Sequence, residues 1–467
     1  MQTPRLADLD FAGKRVTVVG LGIEGVDLVR YLSRHGAEIT ISDSKTAEQL
    51  SERLKDIAGL SVHLSLASDR EVAGADSVFV SQGVPLDLPD LVRLRERGVP
   101  LFSMTGLFLD LCPGPIVGIT GSSGKTTTTA LVGEMFEADE RPVFVGGNIG
   151  IGLLDHLPSV RPYTWSILEV SHTQLQIVSR SPHVAAILNI TPNHLDRFSW
   201  DDYRGLKASI IRHQTTDDIA LLNHDDAECR SLDSEVLGRL LWFSLDEDIP
   251  GDGVFLRDGH AVLRLGRLAE SLFDASRLRL RGRHNLANAV AAAAISAACG
   301  ISLDAIACAV ERFRGVPHRL EPVATVNGVQ YVNDSIATTP ERTLAGLRAF
   351  AEPVVLLLGG RDKHLPLDEL VLEALKRCRA VVLFGESADK LEIALKAAAG
   401  GSSALIRRAA DLPEAIAVAA DAARGEDVVL LSPACTSYDA YENFERRGEH
   451  FRSLVLQLVQ EVQPSLP

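Results

Sequence analysis

The sequence predicts an α/β protein built as three successive units, each a largely parallel sheet flanked by helices. Short apolar runs of strand length alternate with helical patterns along the whole chain. Two Pro/Gly-rich breaks, LCPGP at 111–115 and RFRGVPHRL at 312–320, divide that alternation into three stretches. At 467 residues the chain also exceeds one ordinary domain. The expected domains are therefore 1–111, 112–315 and 316–467.

In the first unit RVTVVG (15–20) reads as a buried strand, followed by GLGIEG and a helix from about 25 to 35. EITISD (38–43) is the next strand and ends in Asp43; SVFVS (77–81) and PLFS (100–103) continue the alternation. GLGIEG matches G-x-G-x-x-G at a strand–helix junction, where backbone N–H groups and the helix dipole can receive a phosphate. Asp43 falls near the place where an acid meets a ribose hydroxyl. Taken alone, the turn fits a dinucleotide, the diphosphate of another nucleotide, or a purely structural role.

The second unit opens with PIVGIT (115–120) and the loop GITGSSGKTTTTA (118–130). A helix follows, with Ala130, Leu131, Met135 and Phe136 on its apolar positions. Gly121 and Gly124 let backbone N–H groups converge on an anion, Lys125 can reach terminal phosphates, and Thr126 offers a hydroxyl to Mg²⁺. The crowded threonines are indifferent helix formers, which suggests use of their hydroxyls. Strands are expected at YTWSILEV (163–170), HVAAILNI (183–190) and DIALLN (218–223), and LANAVAAAAISAAC (286–299) reads as a buried helix. In the third unit VQYVNDS (329–335), PVVLLLGG (353–360), AVVLFGE (380–386) and DVVLLSP (427–433) each precede a helical pattern.

Composition narrows the function. The formal charge of −15 does not suit a nucleic-acid binder, whose ligand would be repelled. No apolar run approaches a membrane span, and the first residues lack the apolar stretch of a signal peptide. Six cysteines lie scattered without a C-x-x-C pair, which argues against disulfides or zinc and suits a reducing cytoplasm.

The phosphate loop departs from the common G-x-x-x-x-G-K-[ST] pattern, having Ile119 where its first glycine belongs and glycines at 118 and 121. The order T-G-S-S-G-K-T resembles the ATP loop of the Mur ligases and folylpolyglutamate synthases. Downstream pieces of that family follow in order: GGNIG (146–150), LEVSHTQL (168–175), NITPNHLDR (189–197), YRGLK (203–207), GRHNLANA (282–289), PHRLE (317–321) and VNDSIATTP (332–340). LGGRDK, ending at Lys363, and LSPACTSYDAYENFERRG (431–448) resemble the D-glutamate-adding members in particular.

The resemblance implies a UDP-binding first domain, a phosphate-loop ATPase second domain and an amino-acid-binding third domain. The substrates would be ATP, UDP-N-acetylmuramoyl-L-alanine and D-glutamate, with two Mg²⁺ ions, and the enzyme would be a cytoplasmic monomer. ATP would be held by Gly121, Ser122, Ser123, Gly124, Lys125, Thr126 and Thr127, with His284, Asn285 and Asn288 toward the adenine. Arg319, after a Gly/Pro hinge, would reach the γ-phosphate, and Asp334 a ribose hydroxyl. Thr126, Glu169, His194 and Lys207 would serve the metal ions, Lys207 after reacting with CO₂ to form a carbamate. Lys125, His194, Lys207 and Arg319 would carry the chemistry. The UDP-sugar peptide would meet Gly22, Ile23, Glu24, Asp43, Ser44, Lys45, Gly83, Asn148, Ser171 and His194. D-glutamate would meet Thr338, Lys363 and Ser437, aided by backbone near Tyr438 and Phe444.

The chain departs from the family pattern at Ile336, where many D-glutamate-adding members carry a lysine. SHTQ follows Glu169 in place of the usual S-S-F-Q, and Ser123 replaces a commoner asparagine. The D-N-P-R signature of the diamino-acid-adding members is absent. A related ligase using another amino acid or folate would share the ATP site. An NAD-dependent oxidoreductase would leave 118–126 unexplained. Joint retention of Lys125, Glu169, His194 and Lys207 opposes a non-catalytic nucleotide-binding subunit.

Overall fold

The computed structural model describes residues 10–67, 74–149, 152–192, 197–246, 249–280, 282–363 and 365–462. The chain forms two compact units, Met1–Phe313 and Arg314–Pro467. Among the described residues the first unit holds two sheets and the second one.

The first sheet contains β1 (Arg15–Val19), β2 (Glu38–Asp43), β3 (Val62–Leu66), β4 (Ser77–Val80) and β5 (Leu101–Phe102). All pairings are parallel, in the order β3-β2-β1-β4-β5. The strand order reverses at β1, so the carboxyl ends of β1 and β4 frame the crevice in which such sheets take ligands. The helix after β1 begins at Ile23, two residues earlier than the apolar pattern suggested. Gly25 is what permits this, because a Cβ there would stand 2.1 Å from the Gly20 carbonyl.

The second sheet contains β6 (Ile116–Thr120), β7 (Val143–Gly147), β8 (Trp165–Glu169), β9 (Val184–Ile187), β10 (Ile219–Asn223), β11 (Arg239–Ser244), β12 (Gly253–Arg257), β13 (His260–Leu265) and β14 (Leu268–Asp274). Its order is β14-β13-β12-β11-β10-β9-β6-β8-β7, parallel from β7 to β12 and antiparallel through β13 and β14. β6 is an interior strand, third from the β7 edge, and all five of its residues are buried. The phosphate loop therefore leaves the sheet between the ends of β8 and β9.

The break at 111–115 lies inside the first compact unit. The helix Met104–Leu111 buries six of its eight residues, and its Leu107 and Phe108 share one hydrophobic cluster with Leu28 of the first layer and Leu168 of the second. Asp27 ties the layers further by accepting the Leu154 and Asp155 N–H groups, each at 2.8 Å.

The second unit contains β15 (Glu321–Val326), β16 (Val329–Asn333), β17 (Val354–Gly359), β18 (Cys378–Phe384), β19 (Leu405–Arg408) and β20 (Val428–Ala434), in the order β15-β16-β20-β17-β18-β19. Only the β15–β16 pairing is antiparallel. β17 and β20 are buried throughout, as central parallel strands with mainly apolar sequences should be. Among the described residues no helix is long and apolar enough to cross a membrane.

Candidate active site

The phosphate loop joins β6 to the helix Lys125–Ala138. Gly124 takes φ +82°, a left-handed conformation that turns the chain into the helix. A Cβ there would also stand 2.2 Å from Asn288 Oδ1. Asn288 is thus packed beneath the loop, whereas His284 is exposed in the first turn of its helix, Arg283–Ala298.

The loop is braced from the β9 side. Asn189 Oδ1 accepts the Ser123 N–H (2.9 Å), and Ser122 Oγ accepts from Thr191 N (3.0 Å). Ser122 Oγ and Tyr203 OH lie 3.1 Å apart. Lys125 Nζ donates to the carbonyls of Gly121 (2.9 Å) and Ser122 (3.4 Å), so the ammonium lies over the loop. Thr126 and Thr127 are half-buried, while Thr128 and Thr129 are fully buried. The latter two hydroxyls have no hydrogen-bond partner among the described residues, so they pack rather than serve as polar donors. Crowding of threonines is therefore only partly about hydroxyl chemistry.

Glu169 ends β8 beside this loop and is 3% exposed. Its Oε1 accepts from Asn148 Nδ2 (2.8 Å), while Oε2 has no partner among the described residues. Asn148 is held in turn, its Oδ1 accepting from Gln82 Nε2 (2.9 Å), and the same amide nitrogen donates to Ser171 Oγ (2.8 Å). Ser171 Oγ also accepts the Gln174 N–H (3.2 Å) at the start of the short 3₁₀ turn after β8.

Lys207 lies on the helix Trp200–Arg212 and is 1% exposed. Its Nζ stands 4.8 Å from the centroid of the Tyr203 ring. Burial first, and then the charge of Lys125, pull its pKa down from 10.5 to about 7. His194 lies outside the described residues. Among those described, no group of three or more His, Cys, Asp or Glu side chains is placed to hold a metal; Thr126, Glu169 and Lys207 include just one such residue.

On the first sheet Gly22, Ile23, Ser44 and Lys45 form an exposed rim at the carboxyl ends of β1 and β2. Asp43 braces that rim, accepting the Leu21 N–H at 2.7 Å and the Lys45 N–H at 2.9 Å. Glu24 faces β4, its Oε2 accepting the Gln82 N–H (2.9 Å) and its Oε1 accepting from Gln174 Nε2 (2.8 Å). Burial raises the Glu24 pKa. Gly83 has φ +89° and open space around it.

In the second unit Arg319 sits between two left-handed residues, His318 (φ +62°) and Leu320 (φ +43°). His318 is buried, with Asn333 Nδ2 donating to its Nδ1 at 3.0 Å. A Cβ at Gly448 would stand 2.1 Å from that Nδ1, so glycine there makes room for the ring. Asp334 follows β16 and accepts from Leu320 N (3.1 Å) and Ser432 Oγ (2.7 Å). Burial raises its pKa to about 7.

Lys363 Nζ donates to Thr338 Oγ1 at 3.2 Å. Ser437 is buried after β20, whereas Tyr438 is 58% exposed. The Phe444 carbonyl accepts from Ser335 Oγ (2.8 Å). Arg447, 1% exposed, holds these segments together. Its guanidinium donates to Ser335 Oγ (3.0 Å) and to the carbonyls of Ser335 (3.0 Å), Cys435 (3.2 Å) and Thr436 (3.2 Å). Burial lowers its pKa to about 10.

Sequence reasoning missed Gln82, Gln174, Asn189 and Arg447. Gln82 precedes Gly83, and Arg447 lies within the quoted motif ending at 448, but neither side chain announces a role without its partners.

Three family models cover most of the chain: a Mur ligase MurD-like N-terminal domain at 14–103, a Mur ligase middle domain at 119–296, and a Mur ligase glutamate ligase domain at 318–435. Among curated proteins, UDP-N-acetylmuramoylalanine–D-glutamate ligase of Symbiobacterium thermophilum is 41% identical over 446 residues, covering 95% of this chain and 98% of that one. Enzymes of the same name are 39% identical in Acidobacterium capsulatum, over 96% of this chain and 97% of that one, and 36% identical in Koribacter versatilis, over 97% and 99%. Among solved structures, a UDP-N-acetylmuramate–alanine ligase from Thermotoga maritima matches with TM-score 0.52 at 20% identity, covering 95% of this chain and 99% of that one. At that identity it speaks for the fold.

Proposed function

Because the chain belongs to the Mur ligase family, we propose that it joins D-glutamate to UDP-N-acetylmuramoyl-L-alanine with hydrolysis of ATP, in cytoplasmic peptidoglycan precursor synthesis. The observation that carries this is full-length similarity to enzymes of that name, from 36% to 41% identity. The division at 111/112 and 315/316, and a monomeric state, belong to the same reading.

The substrate carboxylate attacks the γ-phosphorus of ATP, ADP leaves, and an acyl phosphate forms. The amine of D-glutamate then attacks the acyl carbon, loses a proton, and inorganic phosphate leaves with the C–O bond pair. Backbone N–H groups of residues 121–127 receive the phosphates at a helix N-terminus, and Lys125 offsets their charge. Arg319 is assigned to the γ-phosphate and Asp334 to the ribose. Thr338, Lys363 and Ser437 are assigned to D-glutamate, with backbone near Tyr438 and Phe444. Gly22, Ile23, Glu24, Asp43, Ser44, Lys45, Gly83, Asn148 and Ser171 are assigned to the nucleotide-sugar substrate.

The residues present fit Mg²⁺. Glu169 Oε2 is a buried carboxylate oxygen without a partner among the described residues, and such an atom is costly unless a cation or donor meets it. Thr126, Glu169, His194 and carbamylated Lys207 would hold two ions, which when bound neutralise charge on the transferring phosphoryl group. The depressed pKa of Lys207 supports the carbamate, since only the neutral amine can attack CO₂. That attack forms the N–C bond as one C=O π bond of CO₂ opens onto oxygen, releases one proton, and turns the neutral amine into an anionic ligand.

Hydroxylamine trapping tests the reading. With ATP and UDP-N-acetylmuramoyl-L-alanine but no amino acid, a hydroxamate of the nucleotide-sugar substrate is expected. Its absence, in a preparation that binds both substrates, would contradict the acyl-phosphate route.

A further inference from the structure

We propose that Arg342 is a binding residue for the amino-acid substrate, supplying with Lys363 the second cation of a clamp for a dicarboxylate. The proposal rests on the second unit's being the amino-acid-binding domain. Its geometry centres on Thr338. The Thr338 N–H donates to the Ile336 carbonyl at 2.8 Å, and Arg342 Nη1 donates to the same carbonyl at 3.4 Å. Lys363 Nζ reaches Thr338 Oγ1 at 3.2 Å. A guanidinium and an ammonium thus flank one threonine, whose hydroxyl and backbone lie between them.

Neither cation is paired with a carboxylate among the described residues. Several other cations of this unit do pair with acids, among them Arg348 with Glu369 (2.9 Å), Arg361 with Glu386 (2.9 Å) and Lys390 with Asp362 (2.5 Å). Arg342 is also badly placed for stability, standing in the first turn of the helix Pro340–Arg348, where the dipole favours anions. Lys363 is exposed along its length, yet its affinity for a proton is lowered by desolvation, then by the charges of Arg342 and Arg447. Of nearby acids, Asp334 is engaged by Ser432 Oγ and Leu320 N–H. Two mutually repelling cations, one on the Thr338 hydroxyl and the other on the Ile336 carbonyl, are an arrangement that an arriving dianion relieves.

The sequence adds a reason: the resemblance to the D-glutamate-adding members implies a lysine where this chain has Ile336, and Arg342 places a positive charge at the Ile336 carbonyl from the next helix.

The test is steady-state phosphate release by the full chain carrying Arg342→Gln, with D-glutamate varied at saturating ATP and UDP-N-acetylmuramoyl-L-alanine. Loss of one charge-assisted contact should raise the KM for D-glutamate roughly 10- to 100-fold. The KM values for the other two substrates should stay within about twofold, and Arg342→Lys should restore most of the affinity. In the Arg342→Gln background, Ile336→Lys should recover D-glutamate affinity at least in part. An unchanged D-glutamate KM in Arg342→Gln overturns the proposal, as does an equal rise for all three substrates. If the unaltered chain shows no D-glutamate-dependent turnover, the functional reading itself fails, and the two failures are separately visible.

Discussion

Removing CO₂ from the protein should abolish activity reversibly, and the structure sets the size of the underlying bias. Lys207 is buried beside the Tyr203 ring with Lys125 nearby, which brings its pKa to about 7. At pH 7.5 about three-quarters of its amine is then neutral, against about one part in a thousand for an ordinary lysine near 10.4. Burial thus raises the population able to attack CO₂ several-hundred-fold. The carbamate it forms should accumulate as pH rises through about 7. Incubation with ¹³C-labelled CO₂ should give a new carbamate carbon resonance that is absent from Lys207→Ala. Turnover should fall in degassed buffer and return with bicarbonate. Lys207→Ala should be inactive, and a short carboxylate filling the gap should restore part of the rate. Full activity of Lys207→Ala, or an unchanged spectrum with labelled CO₂, would refute the reasoning.

The same burial makes a stability prediction. In CO₂-free protein the folded state binds this proton less tightly than the unfolded chain does, so stability falls as pH drops from about 10.5 through about 7. Lys207→Met should flatten that slope in urea titrations at pH 6 and pH 9; an unaltered slope would remove Lys207 as its source. Lys125→Ala should lower kcat by roughly 10²–10³ or more, judged by loss of a single charge-stabilising donor, and near-normal turnover would sink the phosphate-loop assignment. Gly124→Ala should weaken ATP binding, because φ +82° and a Cβ 2.2 Å from Asn288 Oδ1 both oppose it; calorimetry showing unchanged ATP affinity would contradict this. Arg447→Met should destabilise the second unit by about 2–4 kcal/mol, since it strands buried carbonyls of Ser335 and Cys435. Denaturation that leaves the unit's midpoint unmoved would count against that role.

Central strands were legible because burial on both faces demands unbroken apolar runs, as in PVVLLLGG and DVVLLSP. Edges were not. β3 has two exposed residues, and β14 begins with four, so neither carries a continuous apolar signal. The β12–β13 hairpin did leave a mark, Asp258-Gly259, with both residues at positive φ. The order of the motifs carried the family further than composition or periodicity could. The long-range polar links were beyond sequence reading. Gln82 meets Asn148 and Ser171 across more than sixty residues, and Arg447 serves carbonyls that only the folded third sheet brings together. Asn288 looked like an adenine contact, yet its tight packing on Gly124 follows from a backbone conformation that the sequence does not display.

The central claim is that this chain makes an amide between the nucleotide-sugar alanine and D-glutamate. Phosphate release from ATP in the presence of UDP-N-acetylmuramoyl-L-alanine, compared across D-glutamate, L-glutamate and D-lysine, tests it most directly. The account predicts stoichiometric phosphate and a product heavier by one glutamyl residue with D-glutamate, and background release with the other two. Equal or greater turnover with L-glutamate or D-lysine, or release independent of the nucleotide sugar, would contradict it.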